Sequence, residues 1–152
     1  MQRLVASWFG VGLILGRLRG DHLGSGTVGA LFAFPVALLI GHWFGWQAQI
    51  VAAAAVVALA LWSSRPFVAR EGDAGWICVD EAAGTFIAVI GLPLWPGAIL
   101  AWVVFRAADI FKGFAPGVAY VDSMPGLVGV TGDDVIAGLY GLAAGHLLMA
   151  LV

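Results

Sequence analysis

Two apolar runs, Val28 to Gly45 and Trp46 to Trp62, follow one another with almost no connector and no charged side chain in either. A chain that must bury such runs has few ways to fold. Inside a bilayer every backbone N–H and C=O has to be satisfied within the protein, which selects helices. Each run offers about 17 residues, hence about 25 Å of helix, which is marginal for a hydrocarbon core of about 30 Å. Composition agrees: 62% of the 152 residues are hydrophobic and only 11% charged, where a soluble domain carries about 25% charged residues. Seven Trp and 22 Gly suit anchoring at the membrane interface and close helix approach. The expected fold is all-α: a small polytopic helical membrane protein, one domain over residues 1–152, with a short helical hairpin and an acidic site at one membrane face. A net charge of −2 argues against nucleic acid as a partner, because nucleic-acid binders usually show a basic stripe. The single Cys78 excludes an internal disulfide and a Cys-based zinc cluster.

The remaining segments extend this reading. Leu4 to Gly16 is apolar but too short to span, and Arg17 and Arg19 follow it without a cleavage site; an interfacial or partly inserted helix is expected. Ser63 to Asp73, with Arg65, Arg70 and Glu71, reads as the one aqueous loop. Ala82 to Ala108 is interrupted by Leu92-Pro93-Leu94-Trp95-Pro96-Gly97. Two prolines there remove backbone donors and disfavour helix before them, so a helical hairpin is expected, with arms of about 11 and 13 residues. A polar segment, Phe111 to Gly132, leads to Asp133 and Asp134, which open a last helix to Val152.

Helix counting then sorts the charges. The turns at Gly41 to Gln47 and Leu92 to Gly97 carry none, and all seven Lys and Arg fall on the other set of connections: Arg3, Arg17, Arg19, Arg65, Arg70, Arg106 and Lys112. The positive-inside rule makes that set cytoplasmic. Thr27, Asp80, Glu81, Asp109, Asp122, Asp133 and Asp134 fall on the same side.

A carboxylate near hydrocarbon is costly unless a partner compensates it. Clustered carboxylates repel one another, so the expected partner is a cation. An all-oxygen donor set suits Mg²⁺ or Mn²⁺ better than zinc. Asp80-Glu81 and Asp133-Asp134 stand at expected helix starts, where capping explains one member of each pair and metal binding explains both. Arg106, Asp109 and Lys112, spaced by three, share a helical face. They form either an interfacial salt-bridge ladder or a ligand with two cations for phosphate oxygens. Gly24-Ser-Gly-Thr-Val-Gly29 offers free amides to a phosphate at a helix start, although it is not a P-loop. His22, His42 and His146 show no ligand spacing and read as structural. Cys78 reads as a buried small hydrophobe, and Arg65 and Arg70 as topology and anionic-lipid contacts.

In order, Asp80-Glu81-x-x-Gly84, Phe105-Arg106-x-x-Asp109-Ile-Phe-Lys112 and Gly129-x-x-x-Asp133-Asp134-x-x-Ala137-Gly138 resemble the phosphatidylglycerophosphatase A family, as does Gly26-Thr27-x-Gly29. The similarity covers about residues 20 to 150. It implies a Mg²⁺-dependent phosphoric monoester hydrolase of phospholipid biosynthesis. The enzyme would convert phosphatidylglycerophosphate to phosphatidylglycerol at the cytoplasmic face of the inner membrane. On that reading Asp80, Glu81, Asp133 and Asp134 are metal ligands, and Asp109, Lys112 and Arg106 are catalytic. Gly26, Thr27 and Lys112 would receive the substrate phosphate. Gly113 and Ser25 stand where the family commonly has Pro, the usual Gly-Gly is Gly126-Leu127, and the stretch containing Asp122 differs in length. These departures fall in loops that would shape a head-group pocket.

Two other classes compete. A CDP-alcohol phosphotransferase also clusters aspartates on membrane helices, but its Asp-Gly-x-x-Ala-Arg core is absent from this sequence. A small transporter or scaffold, or a repurposed family member without phosphatase activity, is the non-enzyme alternative. A transporter calls for acids at midmembrane depth, whereas these are expected at helix ends.

Overall fold

The computed structural model describes residues 1–72 and 74–152, with Leu15, Gly16 and Arg19 described by their backbone alone. The loop end expected at Asp73 and the placement of the Arg19 side chain lie outside the described residues. Eight α-helices occur among the described residues, in the order α1 (Gln2–Ala6), α2 (Val11–Arg19), α3 (Ser25–Phe44), α4 (Trp46–Glu71), α5 (Val79–Ala88), α6 (Ile99–Ile110), α7 (Val118–Asp122) and α8 (Leu127–Leu151). No strand occurs among them, as expected for an all-α membrane protein. The helices α3, α4 and α8, of 20, 26 and 25 residues, are long and apolar enough to cross a membrane.

The first two spans reverse at one residue, Gly45, whose φ of +83° lies in the region glycine favours. The second span corrects the loop expected at Ser63 to Asp73, because α4 continues to Glu71 with Ser63 and Ser64 fully buried. Pro66 lies inside it and cannot donate to the carbonyl of Trp62, four residues back. Gln2 Nε2 of α1 donates to that same carbonyl at 3.2 Å. A contact sixty residues away thus takes up an acceptor that the proline leaves idle, and the helix persists.

The N-terminal apolar run forms two short helices rather than one, broken at Ser7–Gly10. The expected hairpin is present as α5 and α6, of 10 and 12 residues. Its reversal is held by Gln49, a buried amide in the apolar α4. Gln49 Nε2 donates to Ala37 O (3.0 Å) and its Oε1 accepts from Gly91 N (2.8 Å). His146 adds a contact from Nε2 to Ile90 O at 2.9 Å, a structural role as expected.

The last span packs most extensively on α6 and α5. Its glycine face makes this possible. A Cβ at Gly138 would stand 2.7 Å from Gly84 O, and one at Gly141 would run into Ala101 O. Small residues let membrane helices approach to backbone contact. The start of α8 at Leu127 corrects the expectation that Asp133 and Asp134 open it; both lie inside the helix, more than a turn from its start. Exposed Trp43, Trp46 and Trp95 mark the end of the bundle that carries the two uncharged turns, as interfacial aromatics do. The acidic residues lie at the opposite end.

Candidate active site

Three helices converge at that end. The first turn of α5 supplies Asp80 and Glu81; Asp80 is 3% exposed, and its Oδ1 accepts from Glu81 N at 3.1 Å. The last turn of α6 supplies Arg106 and Asp109, paired through NH1 and Oδ2 at 2.8 Å. The interior of α8 supplies Asp133 and Asp134, 3% and 4% exposed. Carboxylate oxygens of Asp80, Glu81 and Asp134 all lie within 4.8 Å of one another, and so do those of Asp109, Asp133 and Asp134. Asp134 belongs to both groups. The capping alternative therefore fails for Asp133 and Asp134, which stand too deep in α8 to reach free amides at its start.

These residues fit a divalent cation on chemical grounds. Glu81 Oε2, Asp133 Oδ1 and Asp134 Oδ1 are buried and have no hydrogen-bond partner among the described residues. Unpaired buried carboxylate oxygens are strongly destabilising unless protonated or bound to a cation. The donor set is all oxygen, which suits a hard ion such as Mg²⁺.

The cationic side chains divide between two sides of the cluster. Arg106, 7% exposed, donates through NH2 to Thr27 Oγ1 at 3.3 Å, while its Nε has no partner among the described residues. Lys112 leaves the face expected for it, because α6 ends at Ile110 and a 3₁₀ turn over Lys112–Phe114 redirects the chain. Its Nζ pairs with Asp133 Oδ2 at 2.6 Å and Asp122 Oδ1 at 2.5 Å. Partial burial pulls the Lys112 pKa down, but the hydrogen bonds and charges of Asp122 and Asp133 outweigh it and hold the group above the usual lysine range. Gly26 and Thr27 thus lie near Arg106, and Lys112 lies apart from them beside Asp133.

A cavity of about 580 Å³ opens beside Glu81 and Arg106, walled by His22, the Gly24–Thr27 lead-in to α3 and Gly75. A Cβ at Gly26 would collide with Glu81 Oε1, so a larger residue there must displace the Glu81 carboxylate. The lead-in is fixed by Ser25, whose Oγ donates to His22 O at 2.8 Å and also contacts Gly75 O. By spacing His22 reads as merely structural and Ser25 as part of the glycine-rich segment; the place of His22 two residues ahead of that segment is the available signal. Cys78, at the start of α5, is fully buried as expected. Burial, with Asp80 adding to it, pushes its thiol up to about 12.

Fold and site together define a polytopic membrane protein with a buried carboxylate cluster beside a cavity lined by an arginine. The family model described as Phosphatidylglycerophosphatase A matches residues 4–149, and the chain belongs to that family. Among curated proteins it is similar to a Bacteroides thetaiotaomicron protein named "Putative phosphatidylinositol-3-phosphatase". The two are 32% identical over 125 residues, covering 76% of this chain and 77% of the relative. Both names denote phosphatases of lipids, which is the enzyme class this membership supports. No solved structure matches the chain.

Proposed function

We propose that this protein removes the terminal phosphate of phosphatidylglycerophosphate, releasing phosphatidylglycerol and phosphate, at the cytoplasmic face of the inner cell membrane. The observation that carries this reading is the set of partnerless buried carboxylate oxygens on Glu81, Asp133 and Asp134, converging beside a cavity that Arg106 also lines. The family match supports the reaction type, and the basic residues at the acidic end support the orientation.

Asp80, Glu81, Asp133 and Asp134 would hold Mg²⁺. When bound, such an ion neutralises phosphate charge and acidifies a ligated water. The rest of the chemistry falls to the chain. Arg106 and the first-turn amides of Gly26 and Thr27 bind phosphate oxygens, with the amides presented by the start of α3. Lys112, held at Asp133, opposes negative charge that builds on the far side of the phosphoryl group. Asp109, fixed by Arg106, orients the attacking water and receives its proton. The new P–O bond forms to that water as the bond to the head-group oxygen breaks, and the leaving oxygen takes up a proton. Acyl chains stay in the bilayer throughout, because the site lies at one end of the helix bundle.

Phosphate release from phosphatidylglycerophosphate by the purified protein in detergent tests this, with Mg²⁺, with EDTA, and with Asp133→Asn. Metal-dependent release that the substitution abolishes is expected. A folded, Mg²⁺-supplied protein that releases phosphate from neither this lipid nor other lipid phosphate monoesters overturns it.

A further inference from the structure

The cavity is far larger than a phosphate, and its walls differ in chemistry. On one side stand the groups that suit an anion: Arg106, whose buried Nε has no partner among the described residues, and the start of α3. On another stand His22 and Gly75. We propose that this second wall recognises the polyol of a phosphorylated head group. His22 would accept a hydrogen bond from a head-group hydroxyl and so select polyol-bearing lipid monoesters over phosphatidic acid. This inference rests on the lipid-phosphatase reading of the same site and assigns its head-group selectivity to a residue.

His22 is held in place by its neighbours. His22 Nδ1 lies 3.2 Å from the carbonyl of Gly12. A carbonyl only accepts, so Nδ1 carries the proton, and in the neutral ring Nε2 is an acceptor. Nε2 has no hydrogen-bond partner among the described residues, and His22 is one of the residues that line the cavity. The backbone beneath is equally fixed. Ser25, 1% exposed, donates to His22 O and contacts Gly75 O, joining the two strips of wall. A Cβ on Gly75 would stand 3.3 Å from His22 Cβ, so the two pack without spare room. An acceptor held this way favours a ligand that brings a donor. A ligand lacking one leaves the acceptor unmatched as the cavity dries, and sites built on such bonds discriminate strongly. Phosphatidic acid has no hydroxyl beyond its phosphate, whereas glycerol- and inositol-type head groups do.

The test compares kcat/KM for phosphatidylglycerophosphate and for phosphatidylinositol 3-phosphate with that for phosphatidic acid, in the wild type, His22→Phe and His22→Gln. Phenylalanine keeps the ring volume and removes the acceptor; glutamine keeps an acceptor at similar reach. The polyol-to-phosphatidic-acid ratio is expected to fall about tenfold in the Phe variant and to recover in the Gln variant. A ratio that stays at the wild-type value in His22→Phe overturns the proposal. So does a parallel loss on all three lipids in both variants, which would make His22 a structural wall. Tryptophan fluorescence supplies a readout that needs no turnover: titration with glycerol 1-phosphate, inositol 3-phosphate and methyl phosphate. Failure of the wild type on every lipid would sink the phosphatase reading alone. Soluble head groups that bind no tighter than methyl phosphate would sink this one.

Discussion

Asp134 contributes to both carboxylate groups, and Asp122 to neither. Their substitutions should separate accordingly. Asp134→Asn is expected to lower phosphate release by on the order of a hundredfold or more. Asp122→Asn loosens Lys112 from one of its two anchors and should cost less than tenfold, both read as kcat/KM on the same lipid. Gly26→Ala tests the packing of Glu81: its Cβ would occupy the place of Glu81 Oε1. A carboxylate displaced by about 1 Å should cost about a hundredfold in rate, while the melting temperature stays near that of the wild type. Cys78 is buried with its thiol pushed up to about 12. It should resist a maleimide at pH 8 in the native protein and react fully in denaturant. Lys112 works in the opposite sense to a paired carboxylate. Its folded pKa is raised, so, while its carboxylate partners are ionised, its stabilisation is full below the usual lysine value and is lost as pH rises through the raised one.

At the scale of elements, the spans hold the hairpin through contacts that leave little slack. Gln49 ties α3, α4 and the end of α5 through Ala37 O and Gly91 N. Gln49→Leu strands the Gly91 donor, and a buried unsatisfied amide costs about 1–3 kcal/mol. A lower melting temperature in detergent, with the acidic cluster's chemistry otherwise intact, is the expected result. Gly141→Leu drives α8 off Ala101 of α6 and Ala88 of α5. Overpacking of this kind costs about 1–3 kcal/mol. Because α5, α6 and α8 each carry part of the acidic cluster, activity should fall with stability here, whereas Gln49→Leu acts at the opposite end.

For the molecule as a whole, the cluster sets stability against function. Of the five carboxylates at one end of this bilayer protein, Asp109 and Asp133 pair with Arg106 and Lys112, and a bound cation relieves the repulsion that remains. Mg²⁺ should therefore raise the melting temperature and EDTA lower it, with the shift growing by about 2.7 kcal/mol at a hundred times the dissociation constant. In Asp134→Asn this metal-dependent shift should largely vanish. Orientation is also testable on the intact molecule. Ser123 is exposed near the acidic end and Trp95 is exposed at the other. In cells of a Cys78→Ala background, an impermeant maleimide added outside should label Trp95→Cys and spare Ser123→Cys; the reverse pattern would place the site outside.

Much of this was determined by residue order alone. Apolar runs broken at Gly45 and at Leu92 to Gly97 dictate how often the chain crosses or re-enters, because a bilayer leaves the backbone no alternative to helix. Counting those reversals brings Asp80, Asp109 and Asp133 to one end whatever the details of packing. The tertiary structure decided what depends on distant partners. Ser63 to Glu71 looks like a loop by composition, but burial of Ser63 and Ser64 and the donation from Gln2 to Trp62 O keep it helical. The polar, glycine-rich stretch before Asp133 looks non-helical, yet α8 begins at Leu127 and carries the aspartate pair inside it. Lys112 leaves the face its spacing suggests because α6 ends two residues earlier and Asp122 and Asp133 offer it better partners. His22 becomes a cavity wall only when Ser25 brings Gly75 against it. Local preference is worth tenths of a kcal/mol to about one per residue, whereas a hydrogen bond is worth a net of about 0.5–1.5 kcal/mol and several distant contacts act together on each of these segments. Where the two disagreed in this chain, the long-range contact prevailed.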